Sequence, residues 1–298
     1  ASSSVGRISG HKPLRENRLR VSLTALEAEA TATKFEDFGL SQSLLQALER
    51  VEYHTPSPIQ AALIPIALTG TDVTGQARTG TGKTAAFAIP ILERIDCDDP
   101  KTQAIVLAPT RELSEQVANE ARRLAPESCN IAVLVGGRPM GPQLSSLRKG
   151  AQIVIGTPGR IIDLMNRRAL NLGDIKIAVL DEADRMLDIG FRPDIEKILR
   201  RCPQERQTLL LSATMPPPVE RLAKRYMNNP SRVDLSEDNV VVNSIQQFFA
   251  TVDADRKFGM LVRLLSKEKP QQALVFTRTK RGAERLHKNF SGKLPRVA

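Results

Sequence analysis

Three apolar runs, each followed by a small or polar turn and a helical pattern, most constrain what this chain can fold into. The runs cover residues 103–108, 130–135 and 151–155, and none alternates apolar with polar side chains. A strand with this pattern is buried on both faces, as in a parallel sheet. The repeated order of strand, turn and helix predicts an α/β fold, a mostly parallel sheet with helices on both faces.

The turns that follow these strands are expected to share one edge of the sheet. The carboxyl ends of parallel strands meet at one edge, and ligands bind there in open α/β sheets. Further apolar strands are predicted at residues 175–180 and 208–211. The polar residues after all five strands are therefore candidates for one site.

A glycine-rich loop at residues 77–84 ends in Gly82-Lys83-Thr84 and precedes an apolar helix. Such a loop directs several backbone N–H groups at one point, and the helix N-terminus attracts an anion. Lys83 is expected to reach the terminal phosphates of a nucleotide, and the Thr84 hydroxyl to hold Mg²⁺. The general pattern has Gly where this chain has Ala77. The alternative is a glycine-rich turn before a core helix.

Acidic residues follow the predicted strand at 175–180, in the order Asp181-Glu182-Ala183-Asp184. An acid at this position is the second half of a nucleotide site. Asp181 is expected to hold Mg²⁺ through water, and Glu182 to orient or deprotonate the attacking water. The alternative is an acid-rich helix N-terminus, which the helix dipole favours.

Two other short motifs accompany these groups. Ser212 and Thr214 follow the strand at 208–211 and are placed to hydrogen-bond the acidic cluster, or to cap the next helix. Gln60 follows a proline-stiffened turn, where its amide offers a donor and an acceptor to an adenine edge. An ordinary capped turn is the alternative for Gln60.

Composition narrows the class of protein. The chain has 298 residues, of which 41% are hydrophobic, and a formal charge of +10. This excludes wholesale disorder, and the charge favours a polyanionic partner or a solvated basic surface. No apolar run is long enough to span a bilayer. Three cysteines and three histidines are isolated in sequence, so we interpret all six as structural or surface residues and expect a reducing, cytoplasmic location.

The chain is expected to divide into two folded parts. Residues 1–33 are rich in Ser and Arg and predict a disordered basic extension, with a transit peptide as the alternative. Residues 34–235 form the first domain and 236–243 a polar linker. Residues 244–298 hold a helix (258–265), a strand (273–276) and a closing basic helix, which are too few elements for an independent domain.

Together these motifs resemble the DEAD-box ATP-dependent RNA helicases, from Phe35 to about Lys288. The resemblance implies a RecA-like P-loop domain and the start of a second one, with Val275-Phe276-Thr277 as its first motif. Ala77 is normal in that family. The nucleotide contacts it implies are Phe35, Tyr53, Gln60, Ala77, Arg78, Thr79, Gly80, Thr81, Gly82, Lys83 and Thr84.

The same resemblance implies a partner and a mechanism. RNA is held through phosphate and sugar, ATP and Mg²⁺ are the cofactors, and two domains close on both to bend RNA and separate short duplexes. Asp184, Ser212 and Thr214 are implied to couple the nucleotide site to RNA. The implied RNA contacts are Pro109, Thr110, Arg111, Gly136, Gly137, Thr157, Pro158, Gly159 and Arg160.

Two departures from the family pattern stand out. Glu52 replaces the usual Gly before Tyr53, and nothing after Lys280 matches the His-Arg-x-Gly-Arg-x-x-Arg motif. Without arginine fingers, the chain as given is expected to hydrolyse ATP little above background.

An ATP-gated RNA clamp with little unwinding is the alternative function. A DNA translocase is disfavoured by the Gln60 motif and the Asp-Glu-Ala-Asp spelling.

Overall fold

The computed structural model describes residues 34–78, 80–236 and 248–291. The extension at 1–33, most of the predicted linker and Thr79 lie outside the described residues. The chain divides into two compact units between residues 238 and 239. Each unit is described by itself.

The first unit alternates strands and helices. A short 3-10 turn at Phe35–Phe38 precedes α1 (Gln42–Arg50) and α2 (Pro58–Leu68). The remaining elements are β1 (Val73–Gln76), α3 (Lys83–Arg94), β2 (Ala104–Leu107), α4 (Arg111–Leu124), β3 (Ile131–Leu134), α5 (Met140–Arg148), β4 (Ile153–Gly156), α6 (Pro158–Asn166), β5 (Ile177–Leu180), α7 (Ala183–Ile189), α8 (Arg192–Leu199), β6 (Gln207–Ser212), α9 (Pro217–Tyr226) and β7 (Ser231–Asp234).

The strands form one seven-stranded sheet in the part of the chain that the structure describes, in the order β3-β4-β2-β5-β6-β1-β7. Every pairing is parallel, which confirms the predicted α/β fold. The five predicted strands are β2 to β6. Sequence reasoning missed β1 and β7, since Thr74, Gln76, Ser231 and Arg232 break the apolar pattern.

Helices cover both faces of the sheet, and a separate hydrophobic core lies between the sheet and the helices on each face. Val106 of β2 faces the core that α1 to α4 cover. Its neighbours Ile105 and Leu107 face the core beneath α6 to α9. This alternation follows from the pleat, because successive side chains of a strand point to opposite faces. Both faces need apolar residues, which explains the uninterrupted apolar runs.

The strand order brings the predicted site together. The turns after β3, β4 and β2 are neighbours at the carboxyl edge, and β6 alone separates β5 from β1. At about 4.8 Å per strand spacing, the ends of β5 and β1 are roughly 10 Å apart. The acidic residues and the glycine-rich loop therefore face each other across one strand.

The described part of the second unit holds α10 (Lys257–Glu268) and α11 (Lys280–Ser291). The predicted helix at 258–265 is confirmed, and Phe258 packs on Phe290 with ring centroids 5.2 Å apart. The predicted strand at 273–276 is wrong: these residues form no strand, and Phe276 is 90% exposed. A lone apolar segment without a neighbouring strand has nothing to pair with.

Candidate functional site at the carboxyl edge of the sheet

The glycine-rich loop connects β1 to α3 and curls through two left-handed residues. Gly80 and Gly82 have φ of 81° and 90°, a conformation that favours glycine. Gly82 is also crowded, because a Cβ there would lie 2.6 Å from Nε2 of Gln60. Thr81 closes the curl by donating to the carbonyl of Arg78 at 2.8 Å.

Lys83 starts α3 and points its amine back into the loop. Its side chain is buried, with 7% of the residue exposed, and Nζ donates to the carbonyl of Ala77 at 2.9 Å. The first N–H groups of a helix have no intrahelical partner, and the helix dipole adds positive potential there. Thr84 lies in this same first turn. The loop is therefore a concentration of donors and positive charge.

Asp181 follows β5 and is a buried carboxylate, 3% exposed. Its Oδ1 accepts from the N–H of Glu182 at 3.0 Å. Burial above all, with the charges of Glu182 and Asp184, raises the pKa of Asp181 to about 6 against the attraction of Lys83. A buried carboxylate that its neighbours neutralise only in part suits a cation ligand.

Glu182 occupies an unusual backbone conformation. It precedes α7 with φ 51° and ψ 53°, which is left-handed and rare for a residue with a side chain. Its carboxylate pairs with Arg185 at 3.1 Å. Sequence reasoning missed Arg185, although its position three residues after Glu182 at a helix start is the usual spacing of such a pair.

The structure joins the three residues predicted to couple the site to RNA. Thr214 donates to Oδ2 of Asp184 from its N–H at 2.9 Å and from its hydroxyl at 2.7 Å. The N–H of Asp184 donates to the Ser212 hydroxyl at 3.2 Å. Burial alone would raise the pKa of Asp184, but the bonds from Thr214, Arg185 and Ser212 hold it below its usual value.

Gln60 connects the adenine motif to the glycine-rich loop. Its Oε1 accepts from the N–H of Ser57 at 2.8 Å, and its Nε2 donates to the carbonyl of Gly82 at 3.1 Å. A glutamine amide has two donor hydrogens and two acceptor lone pairs. One of each remains, which is what an adenine edge requires.

The two aromatic residues implied to contact the nucleotide are engaged elsewhere. Phe35 is buried in the core, edge-on to Phe38 with centroids 5.9 Å apart. The Tyr53 hydroxyl bonds to Glu120 of α4. Burial and this bond raise the pKa of Tyr53 to about 12. Nucleotide contact by either ring stays a prediction.

The residues predicted to contact RNA lie in the turns after β2, β3 and β4, which are neighbours at the carboxyl edge of the sheet. Thr110 caps α4 by accepting from the N–H of Leu113 at 3.2 Å. Arg111 lies against Gly137, where a Cβ would be 2.5 Å from its guanidinium. Arg160 donates to the carbonyl of Arg138 at 3.4 Å. The other predicted residues in these turns are Pro109, Gly136, Thr157, Pro158 and Gly159.

Arg138 is an addition that sequence reasoning missed. It lies between the turns after β3 and β4, and its guanidinium pairs with Glu115 of α4 at 3.0 Å. Its position directly after Gly136-Gly137 was the available signal. Arg111, Arg138 and Arg160 therefore all lie at these neighbouring turns.

The DEAD/DEAH box helicase family matches residues 57–222, which is more than half of the chain. The chain belongs to this family. The DEAD-box ATP-dependent RNA helicase CshA of Bacillus subtilis is 46% identical over 253 residues, covering 85% of this chain and 51% of that protein. For CshA of Geobacillus kaustophilus the values are 47% over 255 residues, 85% and 55%. The present chain thus spans about half the length of those curated relatives.

A solved structure of the same family agrees with the fold. The crystal structure of a DEAD box protein from the hyperthermophile Methanococcus jannaschii is 41% identical, with a TM-score of 0.66. The match covers 87% of this chain and 70% of that one. The RecA-like fold of the first unit is thereby confirmed. No described helix is both long and apolar enough to cross a membrane.

Proposed function

We propose that this chain is the nucleotide-binding part of an ATP-dependent RNA helicase that binds ATP, Mg²⁺ and RNA at the carboxyl edge of its sheet. One observation carries the proposal: Lys83 lies after β1 and Asp181 after β5, and β6 alone separates these two strands at the carboxyl edge of the sheet. A cation and a buried carboxylate on either side of one strand suit a metal-bound triphosphate.

The residues present fit magnesium as well as phosphate. The described residues contain no group of three or more His, Cys, Asp or Glu that could hold a metal. Mg²⁺ does not require such a group, because it usually takes one or two protein ligands together with substrate phosphates and water. Thr84 and Asp181 would hold it, and the bound ion would neutralise charge on the triphosphate.

The chain's own residues divide the remaining work. Lys83 neutralises phosphate charge, and the N-terminus of α3 adds donors. Glu182 orients the attacking water and accepts its proton. Asp184 links this end of β5 to Thr214 after β6, so a change at the nucleotide reaches the RNA side of the edge.

RNA is held through its backbone. Arg111, Arg138 and Arg160 place guanidinium groups at the turns after β2, β3 and β4, and contacts from such groups to phosphate grip any sequence and weaken as salt rises. Closure of two domains on a bent strand would then separate a short duplex. We expect a cytoplasmic location, since the three cysteines are free and none needs an oxidising compartment.

A lysine-to-methionine pair tests the nucleotide site. Lys83→Met removes the charge at the loop, and we expect at least about tenfold weaker binding of a fluorescent ATP analogue, as one lost charge-assisted contact predicts. Lys176→Met is the matched control, because Lys176 bonds to Gln103 at the opposite end of β5. Equal affinities for the two variants would remove the proposal.

An ATP-gated RNA clamp is the second candidate. The ion pair with Arg185 favours it, because the Glu182 carboxylate is already engaged and hydrolysis would be slow. Glu182→Gln, made in a chain extended through a complete second domain, separates the two candidates. A clamp keeps its hold on RNA and its biological role in this variant, whereas a helicase loses repeated unwinding.

A further inference from the structure

A second concentration of positive charge lies on α8 and α9. We call it the basic patch and define it as the exposed residues Lys197, Arg200, Arg201, Arg221, Lys224 and Arg225. The C-terminal ends of both helices lie at the amino edge of the sheet, since Arg206, directly before β6, donates to the carbonyl of Tyr226 at 3.3 Å. The basic patch is thus remote from the turns at the carboxyl edge.

A single carboxylate organises the centre of the basic patch. Glu196 accepts from Arg192 at 3.0 Å and from Arg200 at 3.1 Å, and it pairs with Arg225 at 3.5 Å. The Tyr226 hydroxyl joins them, donating to Glu196 at 3.2 Å and accepting from Arg200 at 3.3 Å. Three guanidinium groups on one carboxylate leave excess positive charge in a fixed arrangement.

The basic patch is open to a ligand. The side chains of Arg200 and Arg225 are 60% and 56% exposed, and each guanidinium has five N–H donors, more than its present bonds use. A cavity of about 380 Å³ lies beside them, lined by Pro193, Glu196, Lys197, Arg200 and Arg201. Donors fixed in a fork suit phosphate oxygens.

Helix dipoles explain only part of this arrangement. Cations are favoured in the last turn of a helix, which accounts for Arg200 and Arg225 individually. It does not account for Glu196 of α8 binding Arg225 of α9, or for the exposed Arg221 within α9. Because cations from both helices are gathered at one place, we expect them to bind the same anionic ligand.

We propose that the basic patch is a second contact for the RNA backbone, reached by RNA that extends beyond the strand held at the carboxyl edge. This inference rests on the proposed function, which supplies the polyanion. The six residues of β6 span roughly 20 Å from edge to edge. At roughly 3.4 Å per stacked nucleotide, an RNA of about 30 nucleotides is roughly 100 Å long and reaches both edges. One of about 6 nucleotides is only roughly 20 Å long, so once it is held at the carboxyl edge it has no length left to reach the basic patch.

The test compares two pairs of cations at equivalent places. Arg200→Gln with Arg201→Gln changes the end of α8, and Arg148→Gln with Lys149→Gln changes two exposed cations at the end of α5. Binding of RNAs of about 30 and about 6 nucleotides, carrying a fluorophore, is measured by anisotropy over a series of salt concentrations.

We expect the α8 pair to bind the long RNA about tenfold more weakly, with the slope of log K against log salt reduced by roughly 1.4 because two contacts are lost. Binding of the short RNA is expected to remain unchanged, as is all binding by the α5 pair. Arg221→Gln with Lys224→Gln leaves the Glu196 network intact and is expected to repeat the result. Thermal unfolding of each variant checks the fold.

If the α5 and α8 pairs lose equal affinity for the long RNA, the RNA responds to overall positive charge and not to the basic patch, and the inference is overturned. It would also be overturned by unchanged long-RNA binding in both patch pairs, which would leave an acidic protein partner as the remaining occupant. If the unaltered chain does not bind the short RNA, the proposed function itself fails. If only the patch variants are without effect, the inference alone fails.

Discussion

At the scale of single residues, burying the carboxylate of Asp181 lowers the stability of the folded chain. Asp181 has a folded-state pKa of about 6 against an ordinary 3.8. The folded chain therefore binds a proton more tightly than the unfolded chain, so stability falls as pH rises through this window. Without a ligand, the ionised carboxylate of Asp181 opposes folding at neutral pH.

Replacing Asp181 by Asn should stabilise the ligand-free chain. At pH 7.5, with a chelator present, we expect Asp181→Asn to raise the free energy of unfolding by about 3 kcal/mol, the linkage value for that pKa difference. The gain should disappear near pH 4. Urea unfolding at both pH values measures it, and Asp188→Asn, an exposed aspartate on α7, controls for general charge. A gain that does not depend on pH would contradict the burial argument.

Other residues of the site were beyond sequence reasoning. The sequence placed Lys83, Asp181, Asp184 and Thr214 at one edge, because strand ends determine that. Arg138 follows β3 and contacts Arg160, which lies 22 residues further along the chain, because β3 and β4 are neighbours in the sheet. That pairing follows from the strand order, which no local pattern encodes.

At the scale of elements, the spacing of β3 and β4 positions two of the turns that we propose contact RNA. Gly156 ends β4 and pairs with Leu134 on one side and Leu107 on the other. A Cβ at Gly156 would lie 2.1 Å from the carbonyl oxygen of Leu134, which is a clash with backbone. Any side chain there must push the two strands apart.

Gly156→Ala should damage stability and RNA binding together. Overpacking of this kind costs about 1–3 kcal/mol, and the displaced strand end carries Thr157 to Arg160 with it. Chemical denaturation and RNA titration measure the two effects. Gly141→Ala is the control, since a Cβ on that α5 residue meets nothing within 4 Å. Loss of stability with unchanged RNA affinity would separate the two effects and contradict the coupling.

Elements were predictable where burial dictated sequence. Strands β2 and β4 to β6 lie inside the sheet, are buried on both faces and read as apolar runs, as does the edge strand β3. The strand β1, which is second from one edge of the sheet, escaped notice because Thr74 and Gln76 interrupt its apolar pattern. The edge strand β7 has Val233 as its only buried residue. The run at 273–276 has strand composition, but a strand needs a partner, and composition does not supply one.

At the scale of the whole molecule, the first unit holds nearly all of the hydrophobic core. Both core clusters consist of described residues between Phe35 and Leu235. In the second unit, Phe248 and Phe249 are exposed along with Phe276. The division of the chain into 34–235, 236–243 and 244–298 stays a proposal, as does a RecA-like identity for the second part.

The rate of ATP hydrolysis is expected to depend on arginine fingers from a complete second domain. We expect RNA-stimulated ATP hydrolysis by the chain to be about 10³–10⁵-fold slower than by a version extended through a complete second domain, which is the contribution of an arginine finger. That factor corresponds to roughly 4–7 kcal/mol of barrier. Phosphate release with and without RNA, on both proteins, measures it. Comparable rates would mean that the first unit is catalytically complete.

The left-handed backbone at Glu182 sets thermal stability against the catalytic role that we propose for its side chain. An L-residue in this conformation costs roughly 1–2 kcal/mol, whereas glycine adopts it freely and asparagine tolerates it. Selecting random variants solely for survival of heating would enrich Gly or Asn at position 182. The most heat-resistant variants recovered would then lack the carboxylate that we propose acts on the attacking water.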